Sequence, residues 1–208
     1  MARPRSDIAP RLLRAARDRF LHDGVDGASL RDIARQAGTS LGMIHYYFPA
    51  KDDLFMAVLE EVYAGFSRDI ESIMRTAGQL ETRVRALFDR VARASDEELE
   101  IIRLVVREVM VSSERRALIM QRFLRGHVPP ILGALLEAHA SGQLKPGLPV
   151  GAAGISLFCL AIFPQVVRRL VGDGAPVPLP PGPELAHHLA TILFSGIRCS
   201  EPPPPPRT

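Results

Sequence analysis

The sequence has little of what catalysis, metal binding or secretion requires, and these shortages narrow its function first. Two of its 208 residues are cysteine, Cys159 and Cys199, in apolar or terminal surroundings. They show no CxxC spacing and no paired framework, so a reducing cytoplasm fits. The opening MARPRSDIAP has no apolar h-region, which argues against a secretory signal. No nucleophile–base pair, metal cluster, glycine-rich phosphate loop or carboxylate pair stands at a recognisable spacing. The chain is therefore not expected to be an enzyme, and no catalytic residue or cofactor is expected. His127 lacks a second ligand at metal spacing and His187-His188 has no metal partners in view, so no metal is expected. Charge of one sign is not in large excess, the formal net charge being +3.

That charge is unevenly placed. From Met1 to Lys51 there are nine basic and five acidic residues, a balance of +4, which leaves −1 for the rest. A basic N-terminal segment ahead of a neutral remainder is the electrostatic footprint of a DNA-binding protein, although a solvated basic surface looks similar. With 47% hydrophobic residues the chain can bury a sizeable core, as one large domain or two small ones.

Ser29 to Lys51 is the most informative stretch. Ser29 is a good N-cap, and Asp32 three residues later completes a capping-box pattern. Leu30, Ile33, Ala34 and Ala37 recur at helical spacing, and Gly38 supplies the stop that a sharp turn needs. Ser40 can cap a second helix that runs to about Phe48, where Pro49 ends it, with Ile44 and Phe48 as inward anchors. Two helices joined by a short glycine-containing turn form a helix-turn-helix, whose second helix is sized for the major groove. The same pattern also fits an αα-corner in a helical core. The exposed side of the second helix carries Thr39, Ser40, Met43, His45, Tyr46 and Tyr47, rich in groups that donate to phosphates.

Leu12-Leu13-Arg14-Ala15-Ala16 with Phe20 and Gly24, then Ser29 to Ala37, Gly38-Thr39-Ser40, Tyr46-Tyr47-Phe48 and Lys51 to Leu54, carry a resemblance. Over residues 8 to 62, in order and without gaps, the chain resembles the TetR/AcrR family of bacterial transcriptional regulators. The resemblance implies an all-α fold of about nine helices. An N-terminal three-helix DNA-binding domain at 1–51 would precede a ligand-binding and dimerisation domain at 52–200 and a disordered Pro-rich tail at 201–208. It places Arg31, Leu41, Gly42, Met43 and Tyr46 where bases are met. It places Ser29, Thr39, Ser40, His45, Tyr47 and Lys51 where phosphates are held. The departures are Leu41, Met43 and His45 on the second helix, and Ala50 where a capping serine is more usual. Asp52 and Asp53 compensate at that cap by placing negative charge at a helix N-terminus.

Beyond the motif the chain reads as amphipathic helices. Met1 to Arg5 is a basic arm in which Arg3 and Arg5 either reach DNA or form a disordered tail. Lys51 to Met74 is a long helix with a stripe at Phe55, Val58, Leu59, Val62, Phe66, Ile70 and Ile73, the mechanical link between domains. Ser95 with Glu98 opens a helix whose apolar face holds Ile101, Ile102, Val105, Val109 and Ser112, with Arg103 and Arg107 opposite. Glu108 falls on that apolar face and must pair with an arginine or meet a ligand. Pro129-Pro130 kinks or splits the helix from Glu114 to Ala140, whose core would be Ile119, Phe123, Ile131, Leu132 and Leu135. The pocket candidates are Phe66, Phe88, Val105, Glu108, Phe123 and His127. Leu148 to Val167 is long and apolar enough to raise a transmembrane reading, yet in a chain of amphipathic helices a helix buried on most sides is expected. The resemblance makes this helix and the last one, about Pro183 to Ile197, the dimer interface. Its candidates are Leu157, Leu160, Phe163, Leu189, Ile192 and Leu193.

The expected protein is a cytoplasmic, nucleoid-associated bacterial regulator, a homodimeric repressor of operator DNA released by a small, largely apolar effector. A ligand near Glu108 and Phe123 would shift the Lys51 to Met74 helix. The alternative is a ligand-independent architectural or adaptor protein on DNA.

Overall fold

The computed structural model describes residues 7–174 and 176–197, and among them the regular structure is ten α-helices and a short 3-10 turn. The helices are α1 (Ile8–Gly27), α2 (Leu30–Gln36), α3 (Leu41–Tyr47), α4 (Lys51–Arg75), α5 (Leu80–Ala92), α6 (Asp96–Val111), α7 (Ser113–Leu124), α8 (Val128–Ala140), α9 (Val150–Val171) and α10 (Gly182–Ile197). The fold is all-α with the helix-turn-helix at its N-terminal end. The basic arm at 1–5, Cys199 and the Pro-rich tail at 201–208 lie outside the described residues.

The count is ten rather than nine because the prolines split the Glu114–Ala140 segment. Helix α7 stops at Leu124, and Pro129 and Pro130 fall in the first turn of α8. There the missing N–H groups have no intrahelical partner to lose. In α1, Gly24 adopts φ 80°, ψ 164° and interrupts the regular turns before the element closes at Gly27.

The chain separates into two compact units. One comprises Met1–Phe66 with Asp96–Arg122, and the other Ser67–Ser95 with Phe123–Thr208. Helices α6 and α7 thus share a unit with the helix-turn-helix, and α4 contributes its first part to one unit and its end to the other.

The first unit is centred on Leu12, Phe20, Ile33, Ile44, Leu54 and Phe55, all at 1% exposure or less. Phe20 meets Phe55 edge-on at 6.2 Å between ring centres. Burying each of these large side chains contributes about 1.5–3 kcal/mol. Phe55, Val58, Leu59, Phe66 and Ile70 of the expected α4 stripe are buried. Tyr63 and Met74 are buried, whereas Val62 and Ile73 are half-buried, because the buried positions 55, 59, 63, 66, 70 and 74 follow the helix face more closely.

In the second unit α10 packs chiefly on α5 and α9, and α8 packs on α9. Gln165, 2% exposed, donates to the Gly182 carbonyl at 3.1 Å and pins the start of α10 to α9. Leu132, expected in the core, is 39% exposed, because α8 turns Ala134, Leu135 and Ala138 inward instead. Helix α9 is also not buried on most sides. Its 18-residue window of mean hydropathy 2.0 satisfies the length and composition of a membrane span, yet only 28% of it is buried within the chain.

Candidate DNA-binding surface

The helix-turn-helix is built by local rules that its sequence carries. Ser29 caps α2, its Oγ accepting the Asp32 N–H at 3.4 Å. The Asp32 carboxylate turns to Arg35 at 2.6 Å, so the cap is a serine cap with an ion pair beside it. At the other end Gly38 takes φ 64°, its N–H reaches the Arg35 carbonyl at 3.1 Å, and Thr39 N–H reaches the Ala34 carbonyl at 2.9 Å. This pair of bonds is a Schellman motif, and it makes the turn between α2 and α3. Arg11 of α1 closes the corner by donating to the Ala37 carbonyl at 2.7 Å. A Cβ at Gly38 would lie 3.2 Å from the Arg11 guanidinium as well as in the left-handed region. Gly38→Ala is therefore expected to cost about 1–2 kcal/mol. A lower urea midpoint at unchanged slope checks it.

Helix α3 has Ser40 at its N-cap, but the Ser40 side chain forms no capping bond. Ile44 is buried and holds α3 to the core, while Phe48 is half-buried and its N–H reaches the Ile44 carbonyl at 2.7 Å. Of the expected base-facing residues, Arg31, Gly42 and Tyr46 are exposed, whereas Leu41 and Met43 are half-buried. Of the expected phosphate-facing residues, Ser40 and His45 are exposed, and Ser29, Thr39, Tyr47 and Lys51 are half-buried. Tyr46 is 77% exposed, its ring edge-on to Tyr47 at 5.2 Å.

A match to a family model described as bacterial regulatory proteins, tetR family, covers residues 12–58, which include α2, α3 and the start of α4. Over these residues the chain is of the tetR family.

Proteins similar to this chain are described as transcriptional regulators. The "Probable HTH-type transcriptional regulator YttP" of Bacillus subtilis is 31% identical over 50% of this chain and 52% of its own length, about half of each. The HTH-type transcriptional repressor NicS of Pseudomonas putida is 25% identical over 73% of both. The crystal structure of the regulator FadR from Bacillus subtilis, in complex with stearoyl-CoA, superposes with a TM-score of 0.69 at 21% identity. That match covers 91% of this chain and 99% of FadR.

The junction between α3 and α4 is held by bonds that the sequence does not announce. Ala50 lacks a capping side chain, and Asp53 supplies the reciprocal half of the cap by accepting the Ala50 N–H at 2.9 Å. Lys51 donates to the carbonyls of Val25 at 3.0 Å and Asp26 at 2.9 Å, so two of its three N–H bonds tie α4 to the end of α1. Arg115, which the sequence did not mark, reaches three carboxylates. Its Nε donates to Glu108 at 2.7 Å, Nη2 to Asp26 at 2.7 Å, and Nη1 to Asp52 at 3.3 Å. The side chains of Arg115 and Glu108 are 5% and 2% exposed. The structure thus supplies Glu108 with an arginine.

Arg107 also turns toward this carboxylate, at 3.3 Å, and donates to the Phe20 carbonyl at 2.9 Å. It does not point away from Glu108 as its position on the helical wheel suggests, because its long side chain wraps back. Burial opposes the charge on Arg115, and the hydrogen bonds it donates to Asp26 and Glu108 outweigh that cost, holding the guanidinium protonated. The Arg115 hydrogen bond holds the Asp26 carboxyl below its ordinary value. Its stabilising contribution is fully present above about pH 3.9 and is lost as the pH falls through the lower folded value.

The other candidates are distributed as follows. Phe66, Val105 and Glu108 lie in the first unit and are buried. Phe88, Phe123 and His127 lie in the second, Phe88 buried and the other two half-buried with their rings 5.0 Å apart. Among the interface candidates Phe163 and Ile192 are exposed, and Leu160 and Leu189 are half-buried. Leu157 and Leu193 are core residues of the chain itself, at 3% and 4% exposure. Among the described residues no group of three or more His, Cys, Asp or Glu is arranged to hold a metal.

Proposed function

We propose that this TetR-family chain is a sequence-specific, homodimeric repressor that leaves its operator when a small, largely apolar effector binds. The observation that carries the reading is the capped, Schellman-turned α2–α3 pair, with Arg31, Ser40, Gly42 and Tyr46 all exposed. In this reading residues 1–51 contact DNA, and 52–200 serve dimerisation and effector binding in the cytoplasm. The name of NicS supports repression, and the stearoyl-CoA bound to FadR supports an apolar effector. One helix-turn-helix reads few base pairs, so two are needed about one DNA turn apart, ~34–36 Å, on a pseudo-palindromic site.

The reading is tested by fluorescence anisotropy on the DNA upstream of the protein's own coding sequence and on random duplex, over a salt series. Binding to the upstream fragment well above random DNA at ~0.15 M salt supports it. Release by long-chain acyl-CoA or another apolar compound supports the effector arm. Equal, salt-sensitive binding to every duplex, with no compound releasing it, favours an architectural protein instead.

Arg31 is the best direct reader, since its fork matches guanine O6 and N7. Arg31→Ala is expected to cost about 1–3 kcal/mol on the operator, while Lys51→Ala weakens all sequences alike and lowers the salt slope by about one. Equal loss on operator and random DNA with Arg31→Ala would remove the base-reading role.

A further inference from the structure

We propose that Arg115, outside the helix-turn-helix, is a positioning residue for DNA binding that holds both ends of that motif to one guanidinium. The inference rests on the DNA-binding reading above. The motif begins at the Ser29 cap and ends where Pro49 stops α3. Asp26 lies three residues before the first point and Asp52 three residues after the second. Arg115 donates to both, through Nη2 at 2.7 Å and Nη1 at 3.3 Å. Its Nε is fixed on Glu108 at 2.7 Å in a site from which water is nearly excluded. Lys51 adds a direct tie between the same two points through the Asp26 carbonyl at 2.9 Å. Entry and exit of the motif are thus set against α6 and α7 by a planar fork, whose geometry tolerates little rotation.

Charge argues for positioning rather than for surface decoration. The Asp26 side chain is 79% exposed, so its ion pair contributes little to stability. A carboxylate on the basic head also repels phosphate, and its electrostatic effect on DNA binding is unfavourable. Neutralising it by an isostere should tighten binding to every duplex if charge is all that matters. Positioning gives the opposite sign.

The test uses the full-length protein and duplexes that the wild type selects from a random-sequence library. Asp26→Asn is expected to weaken binding to the selected duplex about tenfold, with the slope of affinity against salt and the thermal midpoint nearly unchanged. On unselected DNA the variant should bind equally or slightly tighter. Introduced into an Arg115→Lys background, which keeps a cation for Glu108 but removes the fork, Asp26→Asn should add no further loss. Unchanged or tighter binding of Asp26→Asn to the selected duplex overturns the proposal, and so does full additivity of the two substitutions. If Arg115→Lys does not fold, the sign of the Asp26→Asn effect decides alone. A wild type that selects no sequence overturns the DNA-binding reading, and this inference with it.

Discussion

Arg115→Met is expected to lower the unfolding free energy by about 3–5 kcal/mol, the cost of removing one partner of a buried ion pair. The Glu108 carboxylate would remain at 2% exposure with only Arg107, at 3.3 Å and itself 40% exposed, to compensate it. Packing alone does not explain so large a loss, because methionine nearly matches the volume of the arginine stem. The control is Glu108→Leu with Arg115→Met, in which neither charge is left buried. Most of the stability should return, since exchanging a buried pair for apolar groups of similar volume is often neutral or better. Asp26 and Asp52 retain solvent in both variants, at 79% and 34% exposure, and need no compensation. Urea unfolding of the two variants and the wild type measures the effect. A loss below about 1 kcal/mol for the single variant would mean that water reaches Glu108 as it reaches a surface pair.

The same residue shows where sequence reading stops. The helix-turn-helix was legible because its rules span few residues: Ser29 to Asp32 for the cap, Ala34 to Thr39 for the turn, Ile44 to Phe48 for the anchors. Each acts within five residues, so spacing alone reveals it. Arg115 meets Asp52 and Asp26 across 63 and 89 residues, and no periodicity reports such a pairing. A local signal did exist, because Arg115 stands four residues before the buried Ile119, on the same side of α7. Glu108 on an apolar face was visible as a demand for a partner, while the partner's identity was not. Lys51 illustrates the converse. The resemblance assigns it to a phosphate, and the chain first uses it to tie α4 to α1.

The apolar faces of α9 and α10 were legible as apolar but not as inner or outer. Helix α10 turns Ala186 and Ala190 into the chain's own core along with Leu193, Phe194 and Ile197, and leaves Ile192 61% exposed. Small residues let α10 approach α5 and α9 closely, and the bulkier side chain is left for whatever lies outside. On α9 the exposed Ile155, Phe163, Val167 and Leu170 recur at spacings of eight, four and three and share one face.

Phe163→Asp with Ile192→Asp is therefore expected to convert the proposed dimer into a folded monomer, with operator affinity falling about 10³-fold or more, to the level of random DNA. The loss is large because a monomer presents one recognition helix where the operator has two half-sites. The thermal midpoint of the monomer should stay independent of protein concentration, whereas that of the dimer should rise with it. Leu157→Asp and Leu193→Asp are the contrasting pair. At 3% and 4% exposure they should unfold the second unit rather than separate subunits, so loss of helix signal distinguishes them. Sedimentation velocity on the Phe163/Ile192 variant decides between the two uses of so apolar a helix. A soluble, well-folded monomer that no longer selects the operator means that α9 is covered by a second copy. A variant that stays dimeric and selective means that these side chains face something else, and the length and hydropathy of α9 then make a lipid bilayer the next surface to test.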